Sequence, residues 1–190
     1  MGINFSILFS LPWECVKYGL MVTPVVFLYP FTKRFFKIPQ LVLGITFNSG
    51  VFIGYAAVAG NMAADFSVCF PFYIGGIIWT IIYDSIYAFQ DRKFDKSLKL
   101  QSAAIAFENY PKEILSVLST ISVGCFLLGG YNAGLNPMFY AGLSAVATHY
   151  AWQIKSLDIE DPKKCWDLFT SNRYLGLILT FAIILGKIKS

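Results

Sequence analysis

Six long apolar runs constrain this chain more than any other feature. They cover roughly residues 16–32, 39–59, 69–90, 113–130, 137–154 and 172–187. A hydrocarbon core of about 30 Å takes about 20 residues of α-helix. Inside it the backbone must satisfy its own hydrogen bonds, which a helix does within one segment. The runs therefore predict an all-α, polytopic membrane helix bundle of about six transmembrane helices, with residues 1–190 as a single transmembrane domain. Composition agrees: 56% of the residues are hydrophobic and 14% charged, against about 25% charged in soluble domains. Residues 3–13 are apolar too, but Pro12 ends that run early, and the segment reads as interfacial or as the remnant of a longer one. Met1-Gly2-Ile3-Asn4-Phe5-Ser6 fits the short acylation pattern at an N-terminus.

Loop charge orients the runs. If they alternate, one side carries Lys33, Arg34, Lys37, Arg92, Lys93, Lys96, Lys99, Lys112, Lys155, Lys163, Lys164 and Arg173, or 12 of the 15 basic residues. The other side keeps Lys17, Lys187 and Lys189. By the positive-inside rule the basic side faces the cytosol, or the matrix of a mitochondrion. The basic residues sit between apolar runs rather than clustered on a polar face, so no nucleic-acid partner is expected. The partner that composition implies is a lipid bilayer.

The third run ends in an unusual acidic segment, Tyr83-Asp84-Ser85-Ile86-Tyr87-Ala88-Phe89-Gln90-Asp91-Arg92-Lys93-Phe94-Asp95. On one continuous helix Asp84, Asp91 and Asp95 would lie within roughly 40° of one another. Tyr83, Tyr87 and Gln90 would form a stripe beside them. Asp84 is inside the apolar run, where a carboxylate costs at least about 2.5–3.5 kcal/mol and is a functional candidate by default. Three carboxylates on one face repel unless a cation sits between them. Hard ions such as Mg2+ take oxygen ligands, keep waters and bridge to substrate phosphates. The chemistry points to a Mg2+–diphosphate site at the mouth of a membrane helix. The competing reading is a solvated acidic helix end, although carboxylates are disfavoured at a helix C-terminus.

Three loops on the basic side converge on these acids. In the first, Lys33 and Arg34 can clamp diphosphate oxygens, or they can simply anchor the topology. Gly44, Asn48, Ser49, Gly50 and Gly54 give the second run a small-residue face suited to close helix packing, and Asn48 is its one side chain placed to reach a ligand. The second loop, 91–112, reads as a polar lid or short interfacial helix over the site. The third, 155–171, reads as a solvated face, with Thr170-Ser171-Asn172 as N-cap candidates for the last helix. The four cysteines show no metal or redox spacing. The one histidine, His149, reads as a packed, hydrogen-bonded residue. A proton or cation carrier built on Asp84 would call for acids in several helices, and Asp84 is the clear intramembrane one.

The acidic segment closely resembles the second aspartate-rich motif of the UbiA superfamily of intramembrane prenyltransferases, in its mitochondrial branch of 4-hydroxybenzoate polyprenyltransferases. Further likeness lies in Tyr29-Pro30 with Lys33-Arg34, Pro39-Gln40-Leu41 with Leu43-Gly44, Thr46-Phe47-Asn48, Leu157-Asp158-Ile159, Cys165-Trp166, and Ser171-Asn172-Arg173 with Leu175-Gly176-Leu177. These motifs run from about residue 20 to the end. The resemblance implies a nine-helix bundle around a central cavity, of which this chain is expected to carry a truncated form of about six helices. It implies two aspartate motifs that each bind Mg2+ and together hold a polyprenyl diphosphate. Loss of diphosphate leaves an allylic cation that attacks 4-hydroxybenzoate next to its hydroxyl, a step of ubiquinone synthesis.

Carried over, Asp91 and Asp95 are Mg2+ ligands, Asp84 supports or joins them, and Lys33 and Arg34 meet the diphosphate. Tyr83 and Tyr87 stabilise the cation through their ring faces, or serve as membrane-interface aromatics. The implied location is the mitochondrial inner membrane with the motif facing the matrix, where association with other ubiquinone-pathway proteins is expected. The chain departs from the branch at four positions. Phe94 stands for a usual Asp, Lys99 for a usual Gly, Gln101 for a usual Lys, and Glu108 for a common Gly. No segment before residue 20 resembles the first motif, so a non-catalytic membrane protein or partner subunit that binds prenyl diphosphate or quinone is the alternative.

Overall fold

The computed structural model describes residues 10–32, 34–60 and 65–188. Among them the regular structure is helical, in the order α1 (Trp13–Thr32), α2 (Gln40–Asn48), α3 (Gly50–Ala59), α4 (Phe66–Ala88), α5 (Arg92–Ser97), α6 (Ala103–Ala106), α7 (Pro111–Asn132), α8 (Pro137–Ser156) and α9 (Pro162–Lys187). Lys33 and most of the 3–13 stretch lie outside the described residues, as does the Met1–Ser6 pattern. Each of the six expected runs coincides with a helix, taking α2 and α3 as one. Five of the six, α1, α2–α3, α4, α7 and α9, are long and apolar enough to cross a membrane. The 20 residues of α8 have the length, but Ser144, Thr148, His149 and Gln153 dilute its apolarity. It lies against both α7 and α9; Gln153 is buried there, while Ser144 and Thr148 stay exposed with their hydroxyls bonded to carbonyls of their own helix.

α4 is the central element. Eleven of its 23 residues are buried, and it packs on α7, α2 and α9. One continuous core joins α4, α7, α8 and α9 around Ile82, Ile86, Phe126, Phe139, Tyr150 and Leu175. In lipid the tails are as apolar as leucine, so close packing and interhelical hydrogen bonds carry the association. The bundle shows both. Gly75 faces the Phe126 ring, Gly129 the Phe72 ring and Gly130 the Phe139 ring. Ser122 Oγ donates to Gly75 O at 2.9 Å and lies 3.3 Å from the Tyr150 hydroxyl. By contrast α1 buries only Cys15 and Thr32 and packs on α2 and α3.

The small-residue face expected on the second run is only partly used. Gly44 is pressed against the backbone of Ile77, whereas Gly50 and Gly54 have nothing near them. The run also breaks at Ser49. Tyr73 Oη donates to Ile45 O at 3.1 Å. An unbroken helix would offer that carbonyl to Ser49 N–H, so a side chain inserted in the ladder accounts for the break.

Three local expectations are corrected. First, the acidic segment is not one helix. α4 ends at Ala88, and Gln90 and Asp91 donate to Tyr87 O (3.1 Å) and Ala88 O (3.2 Å), three residues back. Gln90 Nε2 also donates to Tyr87 O, and Phe89 is buried at the corner. The chain turns there and restarts as α5 with Asp91 at its N-cap. The shared face of Asp84, Asp91 and Asp95, which required a continuous helix, is therefore lost. Second, α9 begins at Pro162, ten residues before the expected start. Asp161 is its N-cap, accepting Lys164 N–H at 3.1 Å, with Pro162 at the first position. Thr170, Ser171 and Asn172 lie well inside the helix rather than at its cap.

Third, the 91–112 segment, expected as a polar lid or short interfacial helix, does hold the short helices α5 and α6, but it is packed into the bundle rather than polar throughout. Ala103 and Ala104 are fully buried, and Ala103 N–H donates to Gln40 Oε1 at 3.1 Å. Lys96 pairs with Glu108 at 2.5 Å. Arg92, 8% exposed, pairs with Glu160, which also meets Lys93 at 3.3 Å. Part of the 155–171 segment is thus a clamp on this segment and not merely a solvated face. The Arg92 guanidinium, followed by Lys93, holds the Glu160 carboxyl below the usual carboxylate range.

Candidate functional site

The end of α4 brings most of the expected site residues to one end of the bundle. Asp84 is half-buried on α4 and engaged with other groups. It lies within electrostatic reach of Tyr29 on α1. Asp91 is exposed at the turn. Asp95 is 6% exposed on α5, its backbone fixed by Asp91 O and Leu100 N–H at 2.8 and 2.9 Å. Its carboxylate makes no ion pair or side-chain hydrogen bond among the described residues. Also among the described residues, no three acidic, histidine or cysteine side chains gather into one group able to hold a metal. Arg34 is exposed just after α1.

Tyr83 and Tyr87 belong to an aromatic cluster. Tyr83 lies 6.0 Å from Trp79 and 5.9 Å from Phe169, centroid to centroid; Tyr87 lies 5.0 Å from Phe169 and 6.2 Å from Trp166. These residues come from α4 and α9. Asn48 is committed: its Nδ2 donates to Gly44 O and to Thr80 Oγ1, both at 2.9 Å. It still borders a cavity.

Two cavities flank Trp79. One, about 390 Å3, is apolar and bounded by Asn48, Tyr55, Phe72, Phe126, Leu179 and Trp79. The other, about 380 Å3, is bounded by Trp79, Tyr83, Phe169, Thr170, Asn172 and Arg173, and Arg173 lies over the Tyr174 ring. Trp79 is held in place between them by its indole N–H, which donates to Asn172 Oδ1 at 2.9 Å. Trp79 and Phe169 were not singled out in the sequence, and Asn172 and Arg173 had no support from spacing there. The available signal was their period. Trp79, Tyr83 and Tyr87 recur every four residues, as do Phe169 and Arg173, once α9 is begun at Asp161-Pro162. His149 packs on Trp152 at 5.4 Å, next to the backbone of Ser171, and its Nδ1 has no partner among the described residues.

Oxygen-only donors, one exposed and one lacking a side-chain partner, suit a hard divalent cation. Mg2+ is commonly held by one or two carboxylates with the remaining oxygens supplied by phosphates and water. That pattern needs no three-ligand cage in the protein alone.

Comparison with known proteins extends the likeness beyond the motifs. The model of the UbiA prenyltransferase family matches residues 1–181, which takes in the stretch before residue 20. The chain is 43% identical to "4-hydroxybenzoate polyprenyltransferase, mitochondrial" of Bos taurus over 188 residues, 99% of this chain and 50% of that protein. It is 42% identical to the protein of the same name from Homo sapiens, with the same coverage. It is 38% identical to that of Dictyostelium discoideum over 182 residues, 96% of this chain and 39% of that protein. The chain thus spans half or less of the length of these curated relatives. No solved structure matches it.

Proposed function

The chain belongs to the UbiA prenyltransferase family, and on that premise we propose that it takes part in Mg2+-dependent transfer of a polyprenyl group to 4-hydroxybenzoate in ubiquinone synthesis. The proposed setting is the mitochondrial inner membrane, with the acidic turn on the matrix side. The observation that carries the reading is the pair of cavities around Trp79 on α4, the second reaching Tyr83 toward the acidic turn and the first extending away from it past Phe72. An isoprenoid chain suits the apolar cavity. An aromatic acid suits the second, where rings stack and Arg173 lies on the border to meet a carboxylate.

In this reading Asp91 and Asp95, supported by Asp84, would hold Mg2+, and Lys33 and Arg34 would meet the diphosphate. A bound Mg2+ would neutralise the leaving diphosphate. The allylic C–O bond breaks, and diphosphate leaves with the electron pair. The ring carbon next to the hydroxyl forms the new C–C bond and loses its proton. Tyr83 and Tyr87 turn ring faces toward the transient cation, and the apolar wall keeps water from it. Asn48 borders the chain-binding side and orients Thr80.

The test is transfer by the purified chain in lipid, with labelled polyprenyl diphosphate, 4-hydroxybenzoate and Mg2+. Product that disappears with a chelator supports the reading. A second reading, binding of prenyl diphosphate without transfer, is favoured by Phe94, exposed on α5 where the resemblance leads one to expect an Asp. Tight Mg2+-dependent binding with no product would select it.

A further inference from the structure

A groove runs between α7 and α8, and its rim lies at the same end of the bundle as the acidic turn, next to the Arg92–Glu160 and Lys96–Glu108 pairs. Its upper part is bounded by Lys112, Lys155, Lys164, Glu113 and Asp158. Its lower part descends past Thr120, Val123, Ala147 and Ala151. Lys112 and Lys155 border both parts, so the two form one channel with a cationic top and an apolar bottom. Lys112 Nζ donates to Lys155 O at 3.3 Å, which ties the start of α7 to the end of α8. Among the described residues none of the three lysines is in an ion pair. Glu113 and Asp158 share the rim, so three cations face two carboxylates there. No side chain caps the first turn of α7, which leaves backbone N–H groups directed at the same end.

We propose that this groove binds one anionic phospholipid, with its phosphate between Lys112 and Lys155 and an acyl chain along Thr120–Val123 and Ala147–Ala151. The dimensions fit. From Lys112 to Val123 is eleven residues of helix, about 17 Å. That is about half of a 30 Å hydrocarbon core, the depth of one leaflet. The lysines lie on the basic side of the topology, where basic pockets between helices meet anionic headgroups. Small residues, Ala147 and Ala151, open the groove where a chain would lie. The inference is independent of prenyl transfer.

The experiment is native mass spectrometry of the full chain in detergent, titrated with dioleoylphosphatidylglycerol or dioleoylphosphatidylcholine, which share acyl chains and differ in headgroup charge. The expected result is at least tenfold tighter binding of the anionic lipid. Replacing both lysines (Lys112→Gln with Lys155→Gln) should weaken it tenfold or more. Removing the same charge on the opposite side, Lys17→Gln with Lys187→Gln, should leave it within twofold. Ala151→Phe keeps the lysines but fills the groove at a lipid-facing position, and should weaken both lipids. Equal affinity for the two lipids would overturn the proposal, as would equal losses in the two lysine pairs. Displacement of the anionic lipid by millimolar inorganic phosphate would reassign the lysines to free phosphate.

Discussion

Trp79 Nε1 donates to Asn172 Oδ1 at 2.9 Å across 93 residues of sequence. It is the polar bond that ties α4 to α9 between the two cavities. Asn172 completes the set with Nδ2 bonds to Leu168 O (3.2 Å) and Phe169 O (3.1 Å), so its amide is fully oriented. Asn172→Ala leaves the half-buried indole N–H without this partner, which costs about 1 kcal/mol, the low end for an unmade bond. Trp79→Phe removes the donor with the partner's other bonds intact, and should cost less than Asn172→Ala plus the lost indole area. Thermal unfolding in detergent, followed by circular dichroism, checks the order.

Gly76 faces Asn48, and a Cβ there would meet Asn48 Oδ1 and Cγ. Gly76→Ala should push the amide away from Thr80 and separate α2 from α4, at about 1–3 kcal/mol. Gly50→Ala, at a position with open space, should be neutral or stabilising. A stable Gly76→Ala protein would disprove the close approach.

Lys99 has φ +55°, in the region that favours glycine. An L-residue there costs roughly 1–2 kcal/mol, offset in part by glycine's greater freedom when unfolded, roughly 0.5–1 kcal/mol. Lys99→Gly should therefore stabilise by up to about 1.5 kcal/mol, and Lys99→Ala should not. Chemical denaturation of both variants measures the difference.

The Glu160 clamp should respond to acid. Its folded value lies below the ordinary 4.5, with the Arg92 bond as the main cause. A group depressed on folding contributes stability above its unfolded value and loses it as pH falls through its folded value. Hydrogen exchange of amides 89–110, corrected for intrinsic rates, should stay constant from neutral pH to about 4.5 and rise below it. Glu160→Gln should exchange fast at neutral pH and show no such rise.

If Asp91 and Asp95 hold Mg2+ with a diphosphate, each change to Asn should weaken Mg2+-dependent prenyl diphosphate binding tenfold or more without loss of helix. Isothermal titration with and without the metal gives the comparison. Unchanged affinity in both variants would remove these residues from the metal site.

Much of the architecture was readable without coordinates because membrane helices are set by local composition over about 20 residues. The six apolar runs, the charge bias of their loops and the acidic segment after Ile82 are all local properties. So is the start of α9, which Asp161-Pro162 signals as a cap followed by proline at the first turn; the charged pair Lys163-Lys164 hid it in an apparent loop. The turn at Phe89–Asp91 was not local in this sense. Periodicity continues smoothly through it, and only burial of Phe89 against the rest of the core, with the chain redirected toward Gln40 and Glu160, decides that the helix stops. Hydropathy assigns a residue to the membrane but does not say which residue it will touch. The Trp79–Asn172 bond, the Arg92–Glu160 clamp and the grouping of Tyr83 and Tyr87 with Phe169 depend on how α4 and α9 cross. That crossing is fixed by which glycines admit which side chains, a property of the packed bundle and not of any one segment.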